Sequence, residues 1–366
     1  MEQKPSARAV EPGERRALIE WLDDGLRAGR RGRLIAEYPF SLSRSETGAH
    51  RAVFEGDRPV AHAMWHVAES RARGRGVPLG MIGLVYTDPA FRGRGLARAC
   101  IDSCVEELRR RGAPLAALWS DRHDFYRRLG FQAAGRETFY GVDSELCRRA
   151  RGGARPLPAL GPAQPGDFGA LESLYAAKPV RASRPPGALA ALATGPDTRL
   201  VVARKRGRPV AYAALGRGDD FPDVVHEWAG DPEAVLACLE SLCGEGRAIG
   251  WLCGPLDEDP APALRRAGAR GQQGAFALTR LLDVGELWWL IAPRPCGQVR
   301  FEQCGEKVAL SGSRGRAALA APETLELLLG AGTLPPPAAG IFTPEERDAL
   351  AQTLPWPLYV WGFDSI

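Results

Sequence analysis

Lysine and long apolar runs are both scarce in this sequence. Only Lys4, Lys178, Lys205 and Lys307 occur among its 48 basic residues, so arginine carries nearly all of the positive charge. No apolar stretch approaches the roughly 20 residues that a helix needs to cross a bilayer. Residues 1–10 hold no apolar segment of the kind found in secretory signals. The sequence therefore predicts no membrane partner, and the expected location is the cytoplasm.

The eight cysteines are scattered and form no metal-binding pattern. None of them stands in a Cys-x-x-Cys pair, and no histidine lies at the spacing of a zinc site. A disulfide framework is unexpected in a chain of 366 residues without a secretory signal. We therefore expect reduced cysteines that pack as small apolar side chains, and no metal.

Positive charge is modest overall but locally clustered. The formal net charge is +4, yet arginines concentrate in residues 27–33 and 109–111. Such clusters attract anions, but they lack the interleaved aromatic residues on which nucleic-acid bases stack. We expect solvated helix faces and loops there and no nucleic-acid partner. A phosphorylated ligand would need only a few of these arginines.

The first 150 residues alternate strand and helix patterns. Apolar side chains recur at helical spacing over Glu14–Leu26. Residues 51–54 and 59–70 predict two strands joined by a turn that contains glycine. The nearly continuous apolar run Leu79–Thr87 predicts a central strand, and a long helix is expected over Leu96–Arg111. This order is typical of an α/β layer arrangement.

The rest of the chain partly repeats this order. Residues 148–166 are rich in Arg, Gly and Pro and predict a linker. The order hairpin, strand, helix, strand then recurs over residues 200–253, which indicates a weak internal repeat. In the tail, Trp288–Ala292 predicts the first of several short strands. The apolar stretch Leu34–Leu42 shows no regular period.

These patterns predict an α/β protein with three domains. They are a first domain over residues 1–150, a second over 151–285, and a small α+β region over 286–366. The sequence leaves the oligomeric state open, and a homo-oligomer is possible.

A glycine-rich turn links the central strand to the long helix. The first N–H groups of a helix have no partner inside the helix and carry the positive end of its dipole. Glycines remove the side chains that would block a phosphate from approaching them. Arg92 and Arg94 add donors suited to phosphate oxygens. The turn therefore predicts a diphosphate site, although an ordinary structural turn is the alternative.

Two motifs resemble the GNAT superfamily of N-acetyltransferases. The turn reads Arg92-x-x-Gly95-x-Ala97 after a strand, and a later segment places Tyr126 before Leu129-Gly130-Phe131. The resemblance implies tandem GNAT-like domains, each with a mixed central sheet flanked by helices. It implies that acetyl-CoA lies against the backbone of the central strand and that Tyr126 protonates the leaving thiolate. The implied acetyl-CoA residues are Val85, Tyr86, Thr87, Arg92, Gly93, Arg94, Gly95, Leu96 and Ala97.

No acidic residue occupies the central strand, so the general base is open. His62, His66, Glu69 and a water chain are the candidates from the residues alone. The tandem organisation also resembles multi-domain acetyltransferases of the enhanced-intracellular-survival (Eis) type, which end in a domain like sterol carrier proteins. That resemblance implies that the carboxylate of Ile366, or Asp364, serves as base or substrate anchor. The aromatic and apolar residues before it predict an end that docks.

The second domain lacks the turn motif. Asp231 and Glu233 place carboxylates at the equivalent helix start, where they cap the helix and repel a diphosphate. We therefore expect one acetyl-CoA site per chain. The predicted activity is transfer of an acetyl group from acetyl-CoA to an amine, preferably of a small molecule. The alternatives are acetylation of a protein lysine or N-terminus, and a non-catalytic CoA-binding regulatory module.

Overall fold

The structure is a computed structural model that describes residues 5–43, 48–152, 157–244, 247–256, 260–293 and 296–366. None of the helices in these ranges is both long and apolar enough to cross a membrane. The strands are β1 Arg8–Ala9, β2 His50–Glu55, β3 Arg58–Ala72, β4 Arg75–Thr87, β5 Leu115–Leu118, β6 Gln132–Ala134, β7 Glu137–Val142, β8 Ala159–Pro162, β9 Val180–Ala182, β10 Arg199–Lys205, β11 Arg208–Leu215, β12 Val224–Gly230, β13 Ile249–Cys253, β14 Gly271–Gly274, β15 Ala277–Leu281, β16 Arg300–Cys304, β17 Lys307–Gly312 and β18 Gly315–Ala320. The helices are α1 Arg15–Leu26, α2 Arg33–Glu37, α3 Pro39–Ser43, α4 Leu96–Arg110, α5 His123–Arg127, α6 Ser144–Arg151, α7 Phe168–Ala176, α8 Ala188–Leu192, α9 Pro232–Cys243, α10 Ala261–Arg266, α11 Val284–Ile291, α12 Ala321–Leu329 and α13 Pro344–Thr353.

The first sheet is built on the long strands β3 and β4. Its order is β1-β2-β3-β4-β5-β15-β6, and β9 pairs with the far end of β3. The pairing of β4 with β5 is parallel, and the other pairs are antiparallel. Helix α4 connects β4 to β5 and buries Cys100, Ile101 and Leu108. The predicted mixed sheet flanked by helices is confirmed.

The second sheet repeats the core of the first. Its order is β14-β7-β13-β12-β11-β10-β8, and β12 and β13 are parallel strands joined by α9. The hairpin β10–β11, strand β12, helix α9 and strand β13 follow the order β2–β3, β4, α4 and β5. The repeat predicted from the sequence therefore exists in the fold.

The two sheets exchange strands. Strand β7 follows the first sheet in the chain but pairs with β13 and β14 of the second. Strand β15 follows the second sheet but lies between β5 and β6 of the first. Each sheet thus includes a strand from the other side of residue 150, and the division at residues 150 and 285 stays a prediction.

A third, three-stranded sheet, β16-β17-β18, forms the C-terminal region with α11, α12 and α13. The strand predicted at Trp288–Ala292 is wrong, because these residues belong mostly to helix α11. Asp283 caps that helix by accepting from Glu286 N at 2.9 Å. Its apolar side chains Leu287, Trp288 and Ile291 are buried on one face. A short, fully apolar run fits a strand and a buried helix equally well.

Two segments predicted without regular structure contain short elements. Residues 34–42 fold into helices α2 and α3. The predicted linker 148–166 includes the end of α6 and all of β8, and its residues 153–156 lie outside the described residues. Helix α6 begins where Asp143 accepts from Leu146 N and ends at Gly152, whose φ is +70°. These caps extend a helix into a sequence whose composition favours a loop.

Candidate functional site

Strands β4 and β5 diverge at the middle of the first sheet. They pair only from Leu79 to Met81 on β4, although β4 continues to Thr87. No described strand pairs with that side of Val85, Tyr86 and Thr87, and all three residues are half-buried. Backbone polar groups in a sheet need partners. The gap therefore offers main-chain donors and acceptors to an extended ligand.

A bulge at Leu84 lies beside this gap and is supported by two buried histidines. Leu84 has a φ of +50°, and His62 Nδ1 lies 2.8 Å from its carbonyl oxygen. Burial lowers the pKa of His62 to about 4, so its ring is neutral at pH 7. His62 Nε2 then accepts from His50 Nδ1 at 3.0 Å. Because both ring nitrogens are occupied, His62 supports the bulge and has no nitrogen left for a substrate proton.

We expect the protein to lose stability as the pH falls from 7.5 to 5. Burial lowers the pKa of His50 to about 3, that of His62 to about 4 and that of His226 to about 3. An unfolded histidine titrates near 6.5. Below that pH the unfolded chain binds protons that the folded chain does not bind, so stability declines. Burial raises the pKa of Glu137 to about 7. Between pH 7 and 5 the folded chain therefore binds a proton on Glu137 that the unfolded chain does not bind, which offsets the effect of one of the three histidines.

The net difference of about two protons corresponds to a loss of about 3 kcal/mol per pH unit below 6.5. Chemical denaturation at several pH values measures this slope. A His62→Gln variant has no titrating group at this position, so it should lower the slope by the contribution of one proton, about 1.4 kcal/mol per pH unit. Equal free energies of unfolding at pH 7.5 and pH 5 would contradict the presence of buried neutral histidines.

Gly93 and Gly95 shape the turn that follows β4. Their φ angles are +77° and +76°, a region that favours glycine, and a Cβ at either position would meet no heavy atom within 4 Å. Gly95 is the N-cap of α4 and brings no side chain to the first N–H groups of that helix. Leu96 is buried and Ala97 half-buried at the helix start. The helix end is therefore open to an anion.

Two exposed arginines flank this open helix end. Arg92 Nε donates to Thr87 O at 3.3 Å, and Arg94 donates to Ala90 O at 3.4 Å and lies over the ring of Phe91. These contacts use only part of each guanidinium, which has five N–H donors. The remaining donors face solvent beside the helix start. The turn thus has the charge and the free donors that a diphosphate requires.

Tyr126 lies on α5, which follows β5 on the far side of the gap from β4. Its side chain is buried between Phe125 and Phe131. Burial raises the pKa of this phenol above its usual value of about 10. Tyr126 therefore keeps its proton at pH 7, the state that a general acid needs.

The main chain of Ile366 lies directly against β4 at Gly83. A Cβ on Gly83 would stand 2.7 Å from Ile366 C and 2.8 Å from Ile366 O. Gly83 immediately precedes the bulge, so the fold brings Ile366 to the strand that lines the gap. Gly83 was not predicted as a site residue, although a glycine inside an apolar strand can signal a close approach of another chain segment.

The other acid and base candidates lie farther along β3. Glu69 is paired across the sheet with Pro78, five residues before Gly83 and therefore about 16 Å from it along the strand. It accepts from Ser183 Oγ at 2.6 Å and pairs with Arg71. The Ser183 hydrogen bond lowers the pKa of Glu69. His66 is opposite Met81, where β4 still pairs with β5.

The equivalent turn of the second sheet is closed by its own carboxylate. Asp231 caps α9 by accepting from Ala234 N at 2.9 Å and also pairs with Lys205. The first N–H groups of α9 are thus partly occupied by a negative side chain. The expectation of a single acetyl-CoA site per chain stays a prediction.

Part of the chain that includes this site matches a known protein family. Residues 32–134 match the family model described as an acetyltransferase (GNAT) domain. An uncharacterised N-acetyltransferase of Methanocaldococcus jannaschii is 38% identical over 53 residues, which are 13% of this chain and 24% of that protein. The chain thus matches about a quarter of the length of this curated relative.

Solved structures resemble the chain over most of its length. A conserved protein of unknown function from Enterococcus faecalis has a TM-score of 0.64 at 13% identity. The match covers 87% of this chain and 86% of the Enterococcus chain. The Eis1 protein of Mycobacterium abscessus has a TM-score of 0.53 at 20% identity, and the match covers 84% of this chain and 85% of the Eis1 chain. At these identities the likeness shows a shared fold. It extends well beyond residues 32–134 and confirms the predicted tandem α/β class.

Proposed function

We propose that this chain, whose residues 32–134 form an acetyltransferase domain of the GNAT superfamily, transfers an acetyl group from acetyl-CoA to a small-molecule amine. The observation that carries the proposal is the continuity of the gap and the turn. The unpaired edge of β4 beyond Met81 leads directly into the open N-terminal end of α4. An extended acyl chain and a diphosphate on one ligand need these two features next to each other.

The pantetheine arm lies along Val85, Tyr86 and Thr87 and bonds to their main chain. The diphosphate occupies the turn from Arg92 to Ala97, where backbone N–H groups and two guanidinium groups neutralise its charge. Tyr86 is held in place for this role because its ring packs against the ring of Trp21, with the two ring centroids 4.9 Å apart. Acetyl-CoA is a substrate here and is consumed in each turnover.

The reaction needs one base and one acid. The carboxylate of Ile366 takes a proton from the ammonium form of the acceptor, and the free amine then attacks the thioester carbonyl. An N–C bond forms, the C–S bond breaks, and the Tyr126 phenol gives its proton to the leaving thiolate. The new amide nitrogen carries one extra proton, and losing this proton returns the phenol to its protonated form. Two features support this assignment, namely the contact of Ile366 with Gly83 and the raised pKa of Tyr126.

A compact acceptor suits the walls around the site. Arginines of the α1–α2 region pair with acidic residues from the second half of the chain, which ties these two parts of the chain together. The pairs are Arg27–Asp220, Arg30–Asp219 and Arg33–Asp197. We therefore expect small primary amines to be better acceptors than lysine-containing or N-terminal peptides. A panel of both, compared by kcat/KM, tests this preference.

Calorimetric titration tests the acetyl-CoA site. We expect one saturable site per chain, and an Arg92→Glu, Gly95→Asp double variant should raise the Kd by about 100-fold or more. The reason is that both substitutions place negative charge where the diphosphate binds, and each lost charged contact is worth about 1.5–3 kcal/mol.

Arg71→Glu provides a matched charge reversal outside the gap and should bind acetyl-CoA normally. Unchanged binding by the double variant would show that the turn is only structural. Two sites per chain would contradict the closed state of the second turn.

A further inference from the structure

The second sheet opens at the position that corresponds to the gap in the first. Strands β12 and β13 pair only at Val224 and Val225, although β12 continues to Gly230. The other edge of β12 is paired with β11 through this region. The edge facing β13 is therefore open from His226 onward, as the edge of β4 is open beyond Met81.

The C-terminal segment 361–366 packs against this open part of β12. Trp361 meets Trp228 with ring centroids 5.7 Å apart, and its Nε1 donates to Val180 O at 3.0 Å. Phe363 meets the ring of His226 at 4.7 Å. Trp361 and Phe363 are almost fully buried. The segment thus packs its aromatic side chains on β12 in the region where this strand has one open edge.

A buried arginine links the segment to the other face of β12. Arg184 Nε donates to Asp364 Oδ1 at 2.6 Å, and its two remaining nitrogens donate to Glu227. Tyr175 OH donates to Asp364 at 2.8 Å, and Tyr212 OH donates to Glu227 at 2.8 Å. Successive side chains of a strand point to opposite faces. The segment therefore meets one face of β12 through Phe363 and is linked to the other face through Asp364 and Arg184.

A second buried arginine holds the last residues before Ile366. Arg217 donates to the carbonyl oxygen of Gly362, to Ser365 O at 3.1 Å and to Ser365 Oγ at 3.2 Å. It also donates through Nε to Glu37 O at 3.1 Å, and its guanidinium lies 4.1 Å from the ring centre of Tyr38. Arg217 is 3% exposed. A rigid fork of donors thus connects the peptide next to Ile366 with α2 of the first half.

We propose that the second domain acts as a holder for the C-terminal segment, in which Arg217 and Arg184 are positioning residues for the carboxylate of Ile366. The C-terminal segment packs against the part of β12 whose edge is open, where the corresponding part of β4 borders the proposed CoA gap. Both arginines fix main-chain or side-chain atoms one to four residues from Ile366, which lies on Gly83. This inference rests on the proposed function, because it assigns the arginines a role through the base.

A double-mutant cycle on kcat tests the inference. Its four chains are the unchanged protein, Arg217→Met, a chain lacking Ile366, and the combination of both changes. We expect Arg217→Met to lower kcat about tenfold to a hundredfold, because an orientation error of about 1 Å has this effect, and to leave the Kd of acetyl-CoA within about twofold. In the chain lacking Ile366, Arg217→Met should change kcat less than about twofold.

Arg217→Lys, which keeps a donor and the charge, should recover part of the loss. Gly362→Ala gives a second route if Arg217→Met fails to fold, since its Cβ would stand 2.4 Å from the His226 ring. It should lower kcat about tenfold, whereas Gly340→Ala, with nothing within 4 Å of its Cβ, should not.

The outcomes separate the inference from the proposed function. Independent, multiplicative losses from Arg217→Met and removal of Ile366 would overturn the holder role and leave the carboxylate as base. Full activity without Ile366 would overturn both the base and its holder. Absence of acetyl-CoA binding in the unchanged protein would overturn the proposed function itself.

Discussion

Replacing Tyr126 with phenylalanine should lower kcat by about 10²–10⁴-fold, the usual contribution of a general acid. The phenol is buried and burial raises its pKa, so it is protonated throughout the working pH range. Phenylalanine fills the same space between Phe125 and Phe131 but has no proton for the thiolate. The Kd of acetyl-CoA should stay within about threefold, because the loss lies in the transition state.

Tyr140→Phe is the matched control for this substitution. Tyr140 is also buried, but its hydroxyl accepts from Arg265 at 2.9 Å in the second sheet, away from the gap. Removal of the Tyr126 hydroxyl should lower the free energy of unfolding by about 1 kcal/mol, and removal of the Tyr140 hydroxyl, which bonds to a charged group, by about 1.5–3 kcal/mol. Tyr140→Phe should therefore lose at least as much stability as Tyr126→Phe and yet keep its kcat. Unchanged kcat for Tyr126→Phe would remove Tyr126 from the mechanism.

The acetyl-CoA side of the site was predictable because its signals are local. A buried strand, a glycine turn and an amphipathic helix lie within residues 79–111, and each follows from backbone freedom and side-chain period. The structure gives Gly93 and Gly95 the left-handed φ angles that such a turn needs. Asp231 was likewise recognisable as a helix cap from its position before Pro232.

The parts that the sequence did not reveal depend on distant pairs. Nothing near Ala277–Leu281 indicates that β15 enters the first sheet between β5 and β6, since strand pairing carries no local mark. Arg217 is one of many arginines in the sequence, and only the fold buries it against Ser365. The bulge at Leu84 also depends on a partner, because His62 supports it from the neighbouring strand.

Gly83→Ala should lower kcat about 100-fold. The added methyl would stand 2.7 Å from Ile366 C and 2.8 Å from Ile366 O, closer than real Cβ contacts. The neighbouring atoms are main chain, and Arg217 and Arg184 hold the residues before them. The collision therefore moves the carboxylate or bends β4 at the bulge, and about 1 Å of either displacement is enough for such a loss.

Gly141→Ala is the matched control, because Gly141 also lies within a strand and a Cβ there would meet nothing within 4 Å. It should leave kcat unchanged and alter the free energy of unfolding by less than about 1 kcal/mol.

A second comparison distinguishes displacement of Ile366 from bending of β4. If the methyl acts by pushing Ile366, Gly83→Ala should have no further effect in a chain that lacks Ile366. If it acts by bending β4, the loss persists there and acetyl-CoA binding weakens, since Val85 follows the bulge directly. Unchanged kcat for Gly83→Ala in the full chain would contradict a base at Ile366, because Gly83 is the residue of β4 against which Ile366 lies.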